Sequence, residues 1–131
     1  MDYTDIFSPV VKYKTIRMML ALPTHNDLEV EQLDVKTAFL NGFLDEEIFM
    51  EQPPGFQVEN GKTDLVCLLK RSLYGLKQSP RQWNQRFNQF VQSIGFSRSK
   101  FDSCLYYKEL GTPKVVYLLL YVDDMMIINK D

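Results

Sequence analysis

Histidine is almost absent from this 131-residue chain, and that scarcity removes whole classes of chemistry. A Ser-His-Asp relay would have to be built on His25 alone. A zinc site would lack ligands, because Cys67 and Cys104 also stand alone, without metal-ligand spacing around either. Two isolated thiols are expected to be buried and reduced inside a cell. The six glycines are scattered, so no glycine-rich phosphate loop can form. The longest apolar stretch, Val115 to Ile128, is too short to span a bilayer and carries two aspartates, which argues against a membrane. Met1-Asp2-Tyr3-Thr4-Asp5 lacks the basic and apolar regions of a secretory signal, so the protein is not expected to be secreted. Repeats, low-complexity tracts and linkers are missing too.

What remains suits one domain with one hydrophobic core: 45% of residues are apolar and 24% charged. The net charge of −2 hides a strong segregation. Ten acids lie between Asp27 and Asp64, against Lys36 and Lys62 alone. From Leu65 to Phe101 there is no acid, and seven bases stand there: Lys70, Arg71, Lys77, Arg81, Arg86, Arg98 and Lys100. Such a stretch can follow a phosphate backbone, or form a solvated helix face.

Ser8-Pro9 reads as the start of a first helix, with Ser as N-cap and Pro at the first helical position; it runs through Ile16, Met19 and Leu20 and stops before Pro23. Leu28 to Asp34 has strand character and leads to a helical turn through Ala38-Phe39-Leu40, ended by Asn41-Gly42. Residues 43 to 64 read as short extended pieces and turns, and Val66 to Leu69 as a strand. Ser79-Pro80-Arg81-Gln82 reads as a capping box opening a second helix, whose apolar stripe is Trp83, Phe87, Phe90, Val91 and Ile94, with Gly95 at its end. A strand begins at Leu105-Tyr106-Tyr107, a turn follows near Gly111-Thr112-Pro113, and two apolar strands, 115–122 and 125–128, flank Asp123-Asp124 as a tight hairpin. Interleaved helices and strands closing on an antiparallel hairpin predict an α+β fold.

Asp123-Asp124 is the feature that calls for an explanation. A wet turn is the ordinary place for Asp. Buried at the tip of an apolar hairpin, however, two adjacent carboxylates would each cost several kcal/mol unless a cation compensates, and carboxylates are the ligands that Mg²⁺ prefers. Asp34, at the end of a strand and the start of a turn, is an N-cap or a third ligand. A strand-end Asp beside an Asp pair is what two-metal phosphoryl transfer requires: carboxylates holding two ions roughly 3.5–4 Å apart.

Three segments, in order, resemble the catalytic motifs of copia-type retrotransposon reverse transcriptases, parts of Gag-Pol polyproteins. They are Gln32-Leu33-Asp34-Val35-Lys36-Thr37-Ala38-Phe39-Leu40-Asn41-Gly42, Ser72-Leu73-Tyr74-Gly75-Leu76-Lys77-Gln78-Ser79-Pro80-Arg81, and the Tyr-X-Asp-Asp box Tyr121-Val122-Asp123-Asp124-Met125. Phe7-Ser8-Pro9-Val10, Met50-Glu51-Gln52-Pro53, Gly55-Phe56 and Asp102-Ser103-Cys104 fill the gaps, so the resemblance covers nearly the whole chain.

The resemblance implies an RNA-directed DNA polymerase core that joins dNTPs to a primer 3′-hydroxyl with two Mg²⁺ ions, Mn²⁺ being able to stand in. It implies Asp34, Asp123 and Asp124 as catalytic carboxylates, with Asp34 and Asp123 the direct ligands of both metals and the Val35 carbonyl completing one coordination sphere. Phe39 falls at the steric gate against a ribose 2′-hydroxyl, or is simply a core residue. Tyr74 and Gly75 fall against the incoming nucleotide, although Tyr74 reads equally as a structural turn. Tyr121 and Val122 fall near the primer end, Val122 in a strained turn, and Lys77 and Arg81 are expected to contact phosphate of the primer or template. The implied fold is an antiparallel palm sheet with the catalytic hairpin and helices packed beneath it, plus part of the fingers: residues 1–41 palm, 42–78 a fingers excursion, 79–131 palm. The helix carrying Trp83 is expected to pack under the sheet, Trp83 serving the core. Implied partners are an RNA template, a DNA primer, dNTPs and the rest of Pol, whose basic fingers strand, thumb and RNase H domain lie outside these residues. The implied location is cytoplasmic, in the element's virus-like particle. Alone, the chain is expected not to extend a primer. Two other readings stay open: another two-metal palm enzyme, and a non-catalytic remnant that at most binds nucleic acid or self-associates.

Overall fold

A computed structural model that describes residues 8–58 and 65–130 holds a five-stranded antiparallel sheet, whose three inner strands are made by the β-branched, aromatic and aliphatic runs of the sequence. The readings placed on Met1–Phe7, on residues 59–64 (among them the turn at Gly61) and on Asp131 lie outside the described residues. The elements are helix α1 (Tyr13–Asn26), β1 (Glu29–Asp34), a 3₁₀ turn (Ala38–Asn41), β2 (Phe49–Glu51), β3 (Val66–Leu68), helix α2 (Ser79–Ser93), β4 (Ser97–Arg98), β5 (Leu105–Gly111), β6 (Lys114–Tyr121) and β7 (Asp124–Asn129). The sheet order is β1-β7-β6-β5-β4, every pair antiparallel; β2 and β3 form a separate two-stranded sheet.

Both faces of the sheet are apolar, because the central strands carry continuous rather than alternating hydrophobic runs. Leu118 and Leu120 of β6 and Tyr106 of β5 pack with Trp83, Phe87 and Val91 of α2, while their strand neighbours Leu119 and Leu105, with Ile128 of β7, pack with Met19 of α1 and with Val11 just before that helix. The expectation of helices packed beneath the sheet is therefore corrected: α2 covers one face and α1 the other. The α+β class stands, and so does the core role of Trp83, which is buried.

Three local expectations are corrected by contacts distant in sequence. Helix α1 begins at Tyr13, not at Pro9, because the Asp102 carboxylate accepts the Lys12 N–H (2.9 Å) and the Thr15 hydroxyl (2.5 Å) and fixes the first turn there. It also runs through Pro23 to Asn26; Pro23 occupies the last turn, and Asp27 closes the helix in a left-handed conformation (φ 53°). In α2, Ser79 is the first helical residue rather than the cap: its hydroxyl is turned back onto Leu73 O (2.5 Å) and accepts from Ser72 Oγ (2.6 Å). The stripe on α2 is narrower than expected, since Phe90 (52% exposed) and Ile94 (45%) face outward, whereas Gln82 and Asn84 are buried in the first turns. Gly95 follows the helix with φ +94°, as its position suggested.

Asp102 is buried among these donors. Burial pushes its carboxyl upward, but the Thr15 hydroxyl and the Cys104 and Lys12 N–H groups outweigh that and hold it below the ordinary 3.8. Burial pushes the neighbouring Cys104 thiol up to about 11, so it is an inert thiol that donates weakly to Pro9 O (3.5 Å). Cys67 is only partly buried, against the expectation of two buried thiols. No helix among the described residues is long and apolar enough to cross a membrane.

Candidate active site

The sheet brings the two distant acidic motifs together through its β1–β7 pairing. Register runs from Glu29↔Asn129 to Asp34↔Asp124, so these two aspartates are direct cross-strand partners. Beyond the ladder the Val35 N–H donates to the carbonyl of Asp123 (2.9 Å), which ties the third aspartate to the same strand end. The hairpin turn is Val122-Asp123 rather than Asp123-Asp124, as Tyr121 pairs with Asp124 and Asp124 begins β7. Val122 holds φ +56°, a left-handed conformation that a β-branched residue adopts only under constraint. The constraint is visible: the buried Trp83 indole Nε1–H donates to the Val122 carbonyl (2.6 Å) from the other side of the turn.

Asp34 is exposed and Asp123 and Asp124 half-buried, with Gln32 Nε2 donating to Asp124 Oδ1 at 3.4 Å. Like charges placed directly opposite destabilise a strand pair, by roughly 0.2–1 kcal/mol. The donor set is hard oxygen only, of the kind that suits Mg²⁺ or Mn²⁺. Among the described residues, however, no three His, Cys, Asp or Glu side chains are gathered to hold a metal. The backbone thus brings the three acids to one strand end.

The nucleotide-side residues also converge. The 3₁₀ turn carries Phe39, whose ring lies 4.5 Å from that of Tyr74, tilted by 41°. The turn is drawn tightly onto α2 at Gly42, where an added Cβ would stand 2.9 Å from Gln82 Cβ and 3.1 Å from Trp83 N. Tyr74 sits in a loop clipped shut by the fully buried Ser72 and Ser79 hydroxyls, and Gly75 takes φ +97° there with open space around it. The loop therefore needs glycine for its backbone and not for crowding. Phe39, Val122 and Lys77 line one cavity of about 540 Å³, together with Trp83, Leu120 and Asn84. Tyr121 is half exposed at the end of β6. Arg81, half-buried on the first turn of α2, does not line this cavity.

The sequence reading missed the Trp83 N–H, the Gln32 amide and the Ser72–Ser79 clip. Only their place inside or beside the motifs signalled them: Trp83 and Gln32 act through partners remote in sequence, and the two serines, seven positions apart, meet only because the loop between them closes.

Comparison with known proteins bears directly on this arrangement. Residues 1–131 match the family model described as reverse transcriptase (RNA-dependent DNA polymerase). The chain is 55% identical over 130 residues, 99% of its length, to the retrovirus-related Pol polyprotein from transposon TNT 1-94 of Nicotiana tabacum. It is 40% identical over its full length to the corresponding polyprotein from transposon RE2 of Arabidopsis thaliana, and 29% identical over 136 residues to the transposon Ty1-ER2 Gag-Pol polyprotein of Saccharomyces cerevisiae. The chain spans 10%, 9% and 7% of these three polyproteins respectively. No solved structure matches it.

Proposed function

The chain belongs to the reverse transcriptase (RNA-dependent DNA polymerase) family, and from that premise we propose that it forms the palm and part of the fingers of a copia-type retrotransposon polymerase, joining dNTPs to a DNA primer on an RNA template. The observation that carries this reading is the cross-strand pairing of Asp34 with Asp124, with Asp123 tied to the same strand end by the Val35 N–H. The division into palm (1–41 and 79–131) and fingers excursion (42–78) is supported by β2 and β3 forming a sheet of their own within the excursion.

In this reading Asp34, Asp123 and Asp124, with the Val35 carbonyl, would hold Mg²⁺ or Mn²⁺ once their side chains turn toward the ions. Such ions, when bound, lower the pKa of an attacking hydroxyl and offset charge on a leaving pyrophosphate. The chain's own residues do the positioning. The β1–β7 ladder sets the acids, and Trp83 holds the Val122 turn against the primer end. Phe39, backed by Tyr74, forms the wall beneath the sugar, and Gly75 lets the loop pass close to the nucleotide. Lys77 and Arg81 supply positive charge for phosphates. The rest of Pol supplies the basic fingers strand, thumb and RNase H domain within the element's cytoplasmic particle, and the 131 residues alone are not expected to extend a primer.

The test is an NMR titration with Mn²⁺ of the wild type, Asp34→Asn and Asp123→Asn. Selective broadening around residues 33–35 and 121–125 together, abolished by either substitution, is the expected result. Diffuse broadening, or broadening that survives both substitutions, would overturn the reading.

A further inference from the structure

The basic run between Leu65 and Phe101 acquires a shape in the fold that its sequence did not show. Arg71 lies in the chain between β3 and α2, and Arg86 lies in the middle of α2, yet both guanidinium carbons stand over one ring, that of Phe43: Arg71 at 4.1 Å and Arg86 at 5.4 Å from its centroid. Phe43 is 49% exposed and both arginines are exposed, so the cluster faces solvent. The Asp45 carboxylate accepts the Gln82 amide at 2.6 Å, one helical turn before Arg86.

Two like charges brought to one ring repel each other. The ring face offsets this only in part, at about 0.5–1 kcal/mol per exposed cation–π contact. The arrangement costs least when an anion lies between or beside the two cations. Planar guanidinium forks match phosphate oxygens in pairs, and a flat ring beneath them fixes their orientation beforehand. The platform is also fixed relative to the candidate site. Phe43 directly follows Gly42, which is packed onto Gln82 and Trp83 and whose carbonyl accepts the Ser72 N–H (3.1 Å). Ser72 opens the loop of Tyr74-Gly75, and Phe39 lies at the other end of the same 3₁₀ turn.

We propose that Phe43, Arg71 and Arg86 form a docking platform for the phosphodiester backbone of a single nucleic acid strand, gripping it beside the nucleotide-binding turn. The proposal rests on the polymerase reading for the strand's identity, but its chemistry is independent of the aspartates.

It is tested by fluorescence anisotropy with a labelled single-stranded oligonucleotide and the whole 131-residue chain, across a salt series. Arg71→Gln combined with Arg86→Gln is expected to weaken binding at least tenfold at low salt. It should also flatten the salt dependence by about 1.4 in log–log slope, the value for two phosphate contacts on a single strand. Three controls separate the alternatives. Lys14→Gln with Lys114→Gln removes equal charge elsewhere and should lower affinity far less; an equal loss would mean net charge alone and would overturn the platform. Unlabelled dNTP at millimolar concentration should not displace the strand, whereas displacement would make this a triphosphate site instead. Asp34→Asn should bind the strand undiminished, so that failure of the metal site and failure of the platform can be told apart. Absence of binding by the wild type, or no change on removing both arginines, would also overturn the proposal.

Discussion

The indole N–H of Trp83 and the carbonyl of Val122 meet at 2.6 Å, joining the first turns of α2 to the strained tip of the β6–β7 hairpin. Trp83 thus has two roles in one side chain: its ring fills the core with Phe87, and its nitrogen holds a turn that places Asp123. Trp83→Phe keeps an aromatic ring but deletes the donor and some volume. A loss of about 2 kcal/mol of unfolding free energy in urea is expected. Amide hydrogen exchange at residues 122–124 should accelerate more than at Leu118 or Leu119, whose ladder bonds are untouched; uniform acceleration would mean a purely structural role.

The tilted ring pair of Phe39 and Tyr74 predicts an energetic coupling. Rings 4.5 Å apart and tilted by 41° interact beyond their buried area. A double-mutant cycle with Phe39→Leu and Tyr74→Leu should give a coupling of about 1 kcal/mol in unfolding free energy. The same cycle on Phe39 and Phe96, which have no such ring contact, should give additivity.

The Asp102 carboxylate predicts a pH dependence. Its pKa is lowered in the folded state, so the stability it contributes is fully present above the unfolded value near 3.8 and is lost as pH falls through the lower folded value. Asp102→Asn should destabilise the protein by about 2–4 kcal/mol at neutral pH, because a buried acceptor of three donors is weakened and the start of α1 loses its anchor. Urea unfolding between pH 2 and 7 should show the wild-type advantage constant above about pH 5 and shrinking below it. An advantage that stayed constant to pH 2 would mean that the charge is not what matters.

How much of this was legible in the sequence follows the reach of each interaction. The hairpin and its Asp pair were readable because continuous apolar runs flank them, whereas the strand ending in Asp34 showed only the mixed strand character of Leu28 to Leu33. The exact turn was not: whether Val122-Asp123 or Asp123-Asp124 occupies it depends on the register against β1, which pairs Asp124 with a residue 90 positions earlier. The start of α1 was misplaced for the same reason, since Ser8-Pro9 is a good local signal that loses to a carboxylate at position 102. Ser79 has the local character of a cap, yet its hydroxyl finds Leu73 O and Ser72 instead. The buried stripe of α2 is narrower than its periodicity suggests, leaving Phe90 and Ile94 outside, because periodicity gives a face but not its width. The family was legible because its motifs are short, ordered and nearly contiguous, whereas the Phe43 platform joins three residues from three segments and had only a run of positive charge to announce it.

The paired aspartates themselves give the last prediction, in which stability and function oppose each other. Asp34 and Asp124 face each other across β1 and β7, and two like charges in that position cost roughly 0.2–1 kcal/mol. In EDTA, Asp34→Asn is therefore expected to raise unfolding free energy by about 0.5 kcal/mol. In Mg²⁺ or Mn²⁺ the order should reverse, because an ion that binds only the folded state stabilises the wild type as its concentration rises, while the variant has lost a ligand. Thermal melts of both proteins across a Mn²⁺ series should cross. If the wild type is the more stable in EDTA, or if both gain equally from the metal, the aspartates are not held in tension for a cation, and the acids at the hairpin would be ordinary wet turn residues.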